Sequence, residues 1–184
     1  RQSSADEFDA LFETENPLSI LLLEDNQIVA MAFAGPLEIF RHVRGVGDDP
    51  QLHDSTVAYM LDLTVVEQYR GRLGRVLKQA ITMLAPARGF TAMHGRNRDR
   101  LAAGMWAINL SLGSYSTKYL PDDYPDTKPF RDCIYYRCPT VWSEPPINLS
   151  SAIEMPLGIS HLDAGFVHNN LPVLVNKITL SNFV

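Results

Sequence analysis

Apolar positions along the chain follow two patterns, short continuous runs typical of strands and repeats with helical spacing. The most distinct run covers residues 59–66, is rich in aliphatic and β-branched side chains, and is bounded by polar residues. It predicts a mostly buried strand. Apolar residues then recur at helical spacing and predict a helix from about residue 74 to 85: Val76, Leu77, Ala80, Ile81 and Leu84. The segment 68–75 between the two is a polar turn.

The same patterns predict further elements on both sides of this unit. Helices are predicted over residues 3–14 and 98–112. Strands are predicted over residues 18–23, 28–33, 90–94 and 132–138. The connection 35–56 is rich in glycine and proline, and we expect it to cover or line a site. Towards the C-terminus, two more apolar runs cover residues 171–175 and 178–184.

The turn 68–75 has the composition of an anion site. It holds two glycines and three arginines: Gly71, Gly74, Arg70, Arg72 and Arg75. The first N–H groups of the following helix are free, the helix dipole favours negative charge, and glycine lets a ligand approach the main chain. Arginine adds charge-assisted hydrogen bonds to phosphate oxygens. The turn is neither a P-loop nor a dinucleotide fingerprint, and an ordinary strand-to-helix turn is the alternative.

Composition narrows the class of protein. The 184 residues are 46% hydrophobic and 20% charged, which indicates a globular domain of ordinary size. The net charge of −5 argues against a nucleic-acid partner. No run is long enough to span a membrane and no signal peptide opens the chain, so we expect a cytoplasmic protein without a membrane partner. Cys133 and Cys138 are five positions apart in one predicted strand, on opposite faces, so neither a disulfide nor a metal site is predicted.

Two segments carry a resemblance to a known family. Asp62-Leu63-Thr64-Val65, followed by Gln68-Tyr69-Arg70-Gly71, resembles the acetyl-CoA-binding motif of the GNAT superfamily of N-acetyltransferases. In that motif a strand precedes Gln/Arg-x-x-Gly-x-Gly/Ala and a helix. Residues 105–113, MWAINLSLG, are similar to the family's later helix. Together the two segments cover roughly residues 58–114.

The chain also departs from the family pattern. Leu73 stands where Gly or Ala is expected, and the turn is one residue shorter than usual. Ala102 replaces the first Asn of the later helix, and Ser114 replaces its final aromatic residue. Asn109 stands where many relatives carry a Tyr that protonates the departing thiolate. The changes in the turn affect the expected contacts with the pyrophosphate. Asn109 leaves the position of the expected general acid without a tyrosine.

The resemblance implies an α/β (α+β) fold, with a GNAT-like mixed, mostly antiparallel central sheet flanked by helices. It assigns residues 1–140 to a GNAT-like acyl-CoA-binding domain. We expect residues 141–184 to form a connector and a C-terminal extension, which is either an accessory element or the start of a further domain. Because the chain begins at Arg1 without Met, we expect a segment of a larger multidomain parent.

Acetyl-CoA is the acyl donor that the resemblance implies. Main-chain groups near Leu63 and Val65 are expected to hold the pantetheine arm and the acyl carbonyl. The amides of residues 70–75 are expected to hold the pyrophosphate. The full set of predicted cofactor-binding residues is Leu63, Val65, Gln68, Arg70, Gly71, Arg72, Leu73, Gly74, Arg75 and Asn109.

Four residues are candidates for acid–base catalysis. Asp62 is the first candidate for the base, because a carboxylate that interrupts an apolar strand either faces a cleft or pairs with a cation. His94 ends the next predicted strand and titrates near neutral pH. Tyr115 and Tyr119 are candidates for the general acid that Asn109 cannot supply.

The predicted activity is transfer of an acetyl group from acetyl-CoA to the amine of a small molecule. The acidic loop at residues 122–126 suits a cationic acceptor. One alternative is a non-catalytic acyl-CoA-binding or structural module, with neighbouring domains as partners. Another is thioester chemistry, either transfer to a carrier-protein thiol or malonyl-CoA decarboxylation, in which His94 would act with Thr64 or Thr91.

Overall fold

The computed structural model describes residues 3–71, 73–100, 102–124 and 130–140, and the backbone of residues 158–168 and 171–181. Its helices are α1 (Ala5–Phe12), α2 (Leu73–Leu84) and α3 (Ala103–Ser111). Its strands are β1 (Leu18–Glu24), β2 (Gln27–Pro36), β3 (Val57–Val65), β4 (Ala92–Arg98), β5 (Tyr115–Leu120), β6 (Cys133–Pro139), β7 (Gly158–His168) and β8 (Leu171–Ser181). Short 3₁₀ turns cover Leu37–Phe40, Glu67–Tyr69 and Ala85–Arg88.

The strands form one mixed sheet in the order β5-β6-β4-β3-β2-β1-β8-β7. Neighbouring strands are antiparallel except for two pairs, β3 with β4 and β1 with β8. The predicted fold class, a mixed and mostly antiparallel sheet flanked by helices, is therefore confirmed. The backbone of β7 and β8 continues the sheet beyond β1, while the predicted connector at residues 141–157 lies outside the described residues.

The β1–β2 hairpin shows how local chemistry sets part of this sheet. Its turn residues Asp25 and Asn26 both have positive φ, 48° and 63°. A two-residue turn with this geometry matches the twist of the paired strands, and Asp and Asn adopt the left-handed region more readily than most residues. The hairpin that the sequence predicts is confirmed.

Two apolar clusters lie on the two faces of the sheet. Helices α2 and α3 cover one face, where Leu77 and Ile81 are fully buried. Helix α1 and the connection 37–56 cover the other face, where Phe40 and Val46 are fully buried. We call these the α2 face and the α1 face. The two free cysteines follow the predicted alternation, because Cys138 belongs to the α2-face cluster and Cys133 to the α1-face cluster.

Some boundaries differ from the prediction. β4 continues to Arg98, so α3 begins at Ala103 and not at residue 98. The strand β5 lies in a region for which no strand is predicted, because its polar side chains are largely exposed at the edge of the sheet. Within the described part of the chain, no helix has the length and apolarity that crossing a membrane requires.

Candidate functional site

β3 and β4 separate along their length and leave a cleft between them. Their parallel pairing covers only Val57–Tyr59 on β3 and its partners Ala92, Met93 and His94 on β4. Beyond it, β4 stays paired with β6 and β3 with β2. The register of β2 with β3 shifts so that Leu61 has no partner on β2, which makes a β-bulge. A bulge bends and twists its strand, and this one lies where the two strands part.

The cleft has a volume of about 540 Å³ and opens between both faces of the sheet. One wall is the unpaired part of β3, and the other is the C-terminal part of β4 with β6 behind it. Helices α2 and α3 close the cleft on one side, and the segment before α1 contributes on the other. The lining residues are Ser3, Met60, Leu61, Asp62, Leu63, Thr64, Val65, Arg70, Gly71, Gly74, Lys78, Arg96, Asn97, Arg98, Ala102, Met105, Tyr124 and Tyr136.

The turn before α2 lies at the mouth of this cleft. The amide of Arg70 donates to the carbonyl of Glu67 at 3.1 Å, so this amide is not available to a ligand. Gly71 has a φ of 82°, and no described atom beyond its chain neighbours lies within 4 Å of the point where a Cβ would stand. The Tyr69 hydroxyl donates to Glu24 and ties the turn to the β1–β2 hairpin. The turn therefore combines a conformation that favours glycine with open space above it.

The structure brings some of the predicted cofactor-binding residues to the cleft and leaves others outside it. Five of them line the cleft: Leu63, Val65, Arg70, Gly71 and Gly74. Gln68 and Arg75 are exposed beside it. Leu73 is 1% exposed and packs in the core below the turn, while Asn109 is fully buried in α3. Arg72 lies outside the described residues.

Asp62 lies in the cleft on the α1 face. It pairs across the sheet with Phe33, a member of the α1-face cluster, and it is half-buried. The Thr64 hydroxyl donates a hydrogen bond to its carboxylate at 3.1 Å. Among the four acid–base candidates named from the sequence, Asp62 alone lines the cleft.

His94 belongs to a buried polar cluster and not to the cleft. It is 2% exposed, and its Nδ1 lies 2.9 Å from Oδ2 of Asp49 and 3.2 Å from the hydroxyl of Tyr135. Tyr135 also donates to Asp49 at 2.7 Å. Burial lowers the pKa of His94, against the opposing attraction of Asp49. The hydroxyls of Thr64 and Thr91 bond to Asp62 and Thr56, so the structure does not join either threonine to His94.

The two tyrosines proposed as general acids lie on the edge strand β5, away from the cleft. Tyr115 is 50% exposed and Tyr119 is 54% exposed. The Tyr119 hydroxyl donates to Asp132, and this hydrogen bond raises its pKa to about 12. Neither residue lines the cleft.

The connection 35–56 also differs from its predicted role. None of its residues lines the cleft. Its apolar side chains pack into the α1-face cluster, and its Asp49 supplies the carboxylate beside His94. The expectation that this connection covers or lines the site is wrong for the described cleft.

The cleft residues that were not identified from the sequence include two buried polar side chains, Lys78 of α2 and Tyr136 of β6. Lys78 is 1% exposed, and its ammonium donates to the Tyr136 hydroxyl at 2.9 Å. Burial lowers the pKa of Lys78 to about 8. A signal was present, because Lys78 follows Gly74 by four residues and so shares the helix face that meets the cleft. No comparable local signal distinguishes Tyr136 from the other strand tyrosines.

The negative charge of the acidic loop is neutralised by nearby arginines. Asp123 pairs with Arg96 and lies 3.8 Å from Arg44. Asp122 pairs with Arg131 at 3.3 Å. The described part of this loop therefore offers little free negative charge to an acceptor.

A basic and aromatic wall lies at the α1-face opening of the cleft. The guanidinium of Arg98 lies 4.0 Å from the ring centroid of Tyr124, and that of Arg96 lies 5.2 Å from it. Both arginines and Tyr124 line the cleft. Arg98 forms no ion pair with a carboxylate among the described residues, in contrast to Arg96.

Solved structures with the same architecture are N-acetyltransferases by name. The ribosomal-protein-S18-alanine N-acetyltransferase from Escherichia coli has a TM-score of 0.55 at 18% identity, over 79% of this chain and 83% of that chain. A proposed phosphinothricin N-acetyltransferase has a TM-score of 0.57 at 14% identity, over 76% and 79% of the two chains. The chain has the GNAT fold. The resemblance found in the two sequence motifs is thereby confirmed at the level of the fold.

A third structure of the same architecture contains acetyl-CoA. A proposed acetyltransferase from Salmonella typhimurium was solved with its cofactor acetyl-CoA, with a TM-score of 0.50 at 18% identity, over 66% of this chain and 64% of that chain. Neither a protein-family model nor a curated protein sequence matches the present chain. At these identities the structural likeness bears on the fold alone.

Proposed function

We propose that this chain is an acyl-CoA-dependent N-acetyltransferase that transfers an acetyl group from acetyl-CoA to the amine of a small molecule. The observation that carries the proposal is the unpaired edge of β3, which runs beside the glycine turn that begins α2. An unpaired strand edge offers N–H and C=O groups to the amides of an extended ligand. The N–H groups of the first turn of α2 and the Arg70 side chain offer donors to a pyrophosphate.

The shape and lining of the cleft agree with such a ligand. Open space above Gly71 leaves room for phosphate oxygens close to the main chain. The apolar side chains of Met60, Leu63 and Met105 line the path from the turn toward the paired part of β3 and β4. Bound acetyl-CoA would supply an activated acyl group to an amine nucleophile.

Asp62 is the proposed general base. Its carboxylate lies in the cleft on the face opposite α2, and the hydrogen bond from Thr64 limits its orientation. In this role it takes a proton from the ammonium form of the acceptor, directly or through a water molecule, because only the neutral amine is a nucleophile. The acceptor then approaches from the α1 face, where Asp62 and Arg98 both line the opening.

The unpaired Arg98 favours one class of acceptor. A guanidinium stacked on Tyr124 and without a carboxylate partner among the described residues suits an anionic group on the ligand. Asp62 offers the opposite charge to an ammonium group. We therefore propose a small acceptor that carries both an amine and an anionic group, rather than the cationic acceptor that the acidic loop suggests from sequence.

Calorimetric titration with acetyl-CoA tests the donor site. We expect binding in the micromolar range and a loss of about tenfold in the Arg70→Ala variant, equivalent to about 1.4 kcal/mol. Arg88→Ala is the matched control, because Arg88 lies at the opposite end of α2, outside the cleft. Absence of binding at millimolar acetyl-CoA would exclude the donor site.

Turnover tests the catalytic part of the proposal. With a panel of amines that do and do not carry an anionic group, we expect acetylation of the former and a fall of about 10²-fold in kcat for Asp62→Asn near neutral pH. Glu67→Gln is the control, since Glu67 is exposed at the rim and does not line the cleft. Binding of acetyl-CoA without turnover of any amine or thiol would support the non-catalytic alternative instead.

A further inference from the structure

We infer that the Tyr136 hydroxyl, held by the buried Lys78 ammonium, is the acid that protonates the departing thiolate of CoA. The inference rests on the proposed function. It assigns the general acid to β6, whereas both candidates named from the sequence, Tyr115 and Tyr119, lie on β5. In this assignment Tyr136 is the catalytic residue, because its hydroxyl would donate to the reacting sulfur, and Lys78 is a positioning residue that acts through it.

The two side chains form a buried polar pair inside the α2 face. The Nζ–Oη distance is 2.9 Å, and the Lys78 ammonium also lies 5.0 Å from the Tyr136 ring centroid. Lys78 is 1% exposed and Tyr136 is 3% exposed. A buried ammonium is normally matched by a carboxylate, but Lys78 forms no ion pair with one among the described residues. This pair therefore has no evident role in stabilising the fold. Both of its side chains line the cleft.

The donor direction of this hydrogen bond leaves the tyrosine proton free. The ammonium has no acceptor capacity, so Lys78 donates and the Tyr136 oxygen accepts. The Tyr136 O–H can then donate to a group in the cleft. The buried amide of Asn109, from α3, lies beside the same hydroxyl. The Tyr136 hydroxyl therefore lies where β6, α2 and α3 meet at the cleft.

The topology brings this hydroxyl to the inner end of the cleft. The donor arm enters at the Gly71 turn and runs along the open edge of β3, which closes where Tyr59 pairs with His94. Gly95 is the next residue of β4, and it pairs with Tyr136. A Cβ at Gly95 would lie 2.5 Å from the Tyr136 oxygen, so glycine allows the hydroxyl to approach the inner end of the cleft. The inner end is where the acyl carbon and sulfur would lie.

The proposed step balances without a further reactant. The neutral amine forms a C–N bond to the acyl carbon, and the C–S bond breaks with its electron pair on sulfur. The Tyr136 O–H proton passes to sulfur to give the CoA thiol. The Lys78 ammonium returns a proton to the tyrosine oxygen, and neutral Lys78 regains one from solvent. The acceptor nitrogen loses two protons, one when its ammonium form becomes the neutral amine and one after the C–N bond has formed. Asp62 passes both to solvent, so that one balances the proton that sulfur gains and the other is the net proton released by amide formation.

The residues around Lys78 determine the pH range in which this proton transfer operates. The titratable groups that face it in the described structure are Tyr136 and Cys138, both from β6. Burial raises the pKa of both of those groups, so they stay neutral when Lys78 titrates. Because the step needs protonated Lys78, we expect kcat to fall above about pH 8, with that alkaline limb absent in Lys78→Met.

Kinetics of matched variants give the first test. Tyr136→Phe should lower kcat about 10²-fold with little change in the KM for acetyl-CoA, and Lys78→Met about tenfold. Tyr135→Phe is the control, since it removes the neighbouring buried hydroxyl from the opposite face of the sheet. The double variant Lys78→Met/Tyr136→Phe removes the buried ammonium together with the hydroxyl that accepts from it. It therefore tests the chemistry even if Tyr136→Phe alone folds poorly.

Binding of CoA and desulfo-CoA by calorimetry from pH 6 to 9 gives a second test that needs no acceptor. A cation near the sulfur favours the thiolate, so affinity for CoA relative to desulfo-CoA should rise from pH 6 to about pH 8 and stop rising above it, where Lys78 loses its charge. Because the thiol and Lys78 titrate in the same range, we expect a rise of about two- to threefold. In Lys78→Met and Tyr136→Phe the ratio should stay near one.

The outcomes separate the two proposals. If neither ligand binds, the proposed function is wrong, and this inference, which depends on it, is wrong as well. If both ligands bind equally at every pH and the variants match the wild-type protein, the donor site stands and the assignment of Tyr136 and Lys78 is overturned. A pH-dependent ratio that both variants abolish supports the assignment.

Discussion

Tyr135 and Tyr136 are neighbours on β6, yet their hydroxyls reach two different kinds of polar surroundings. On the α1 face, Tyr135 donates to Asp49, which also lies beside His94, and the cluster contains its own carboxylate. On the α2 face, Tyr136 accepts from Lys78 in a pair without a carboxylate, open to the cleft. Both clusters are buried and both contain a base with a lowered pKa. The difference is that only the second adjoins space for a ligand.

This comparison indicates which buried polar groups to regard as structural. A cluster that satisfies its own charge in the core stabilises the fold through hydrogen bonds. A buried cation without an anionic partner is unfavourable for folding and is retained where it serves another purpose. The following predictions test that distinction, from the largest expected effect on stability to the smallest.

Asp49→Asn should be the most destabilising of these changes. Burial raises the pKa of Asp49, but the hydrogen bonds from Tyr135 and from the Gln51 amide outweigh it and leave the pKa below its usual value. Asparagine keeps one acceptor oxygen, so either the Gln51 amide or the pair His94 and Tyr135 loses its acceptor together with the charge. We expect a loss of about 3 kcal/mol in the free energy of unfolding. Urea unfolding measures it, and acetyl-CoA affinity should not change. A loss of binding with unchanged stability would show that this cluster is functional.

Lys78→Met should have the opposite effect on stability. The folded pKa of about 8 is below the ordinary value of 10.5, so the unfolded chain holds a proton between these pH values that the folded chain lacks. Stability therefore rises as pH increases from about 8 to 10.5. Replacing Lys78 with an apolar side chain should remove this slope and raise stability at pH 7 by roughly 2–3 kcal/mol. Unfolding curves at pH 7 and pH 10 for both proteins measure the difference, and a destabilised Lys78→Met would contradict it.

Gly95→Ala tests the close approach of Tyr136 to β4. The added Cβ would lie 2.5 Å from the Tyr136 oxygen and 2.7 Å from its Cζ, so the ring must move. We expect a loss of about 2 kcal/mol and a fall in kcat, because the hydroxyl shifts from the inner end of the cleft. Gly104→Ala is the control, since no described atom lies within 4 Å of its Cβ position. That change lies within α3 and should be neutral or slightly stabilising.

The His94 cluster should give the smallest effect, a modest loss of stability in acid. Burial lowers the folded pKa of His94, so below about pH 6.5 the unfolded chain binds a proton that the folded chain does not. Stability should therefore fall as pH decreases from 6.5, by at most about 1.4 kcal/mol per pH unit for one proton. In His94→Gln the slope between pH 6.5 and 5 should be smaller. Equal slopes in both proteins would show that His94 does not titrate in this range.

The sequence alone determined the local units of this protein. The strand 59–66, the glycine turn and the helix after it were all predictable, because their signals depend on residues close together in the chain. The same holds for the β1–β2 hairpin and for the opposite faces of Cys133 and Cys138. Asp62 was also accessible to this reasoning, since one carboxylate in an apolar strand stands out from its neighbours.

Only the tertiary structure decided which polar side chains share the cleft. His94 and Tyr136 come from β4 and β6, and their faces depend on the long-range register of those strands and on where β3 and β4 part. A shift of one residue in a strand moves every side chain to the other face, and nothing within either strand specifies that register. His94 is therefore placed with Asp49 in the core, while Tyr136 is placed with Lys78 beside the cleft.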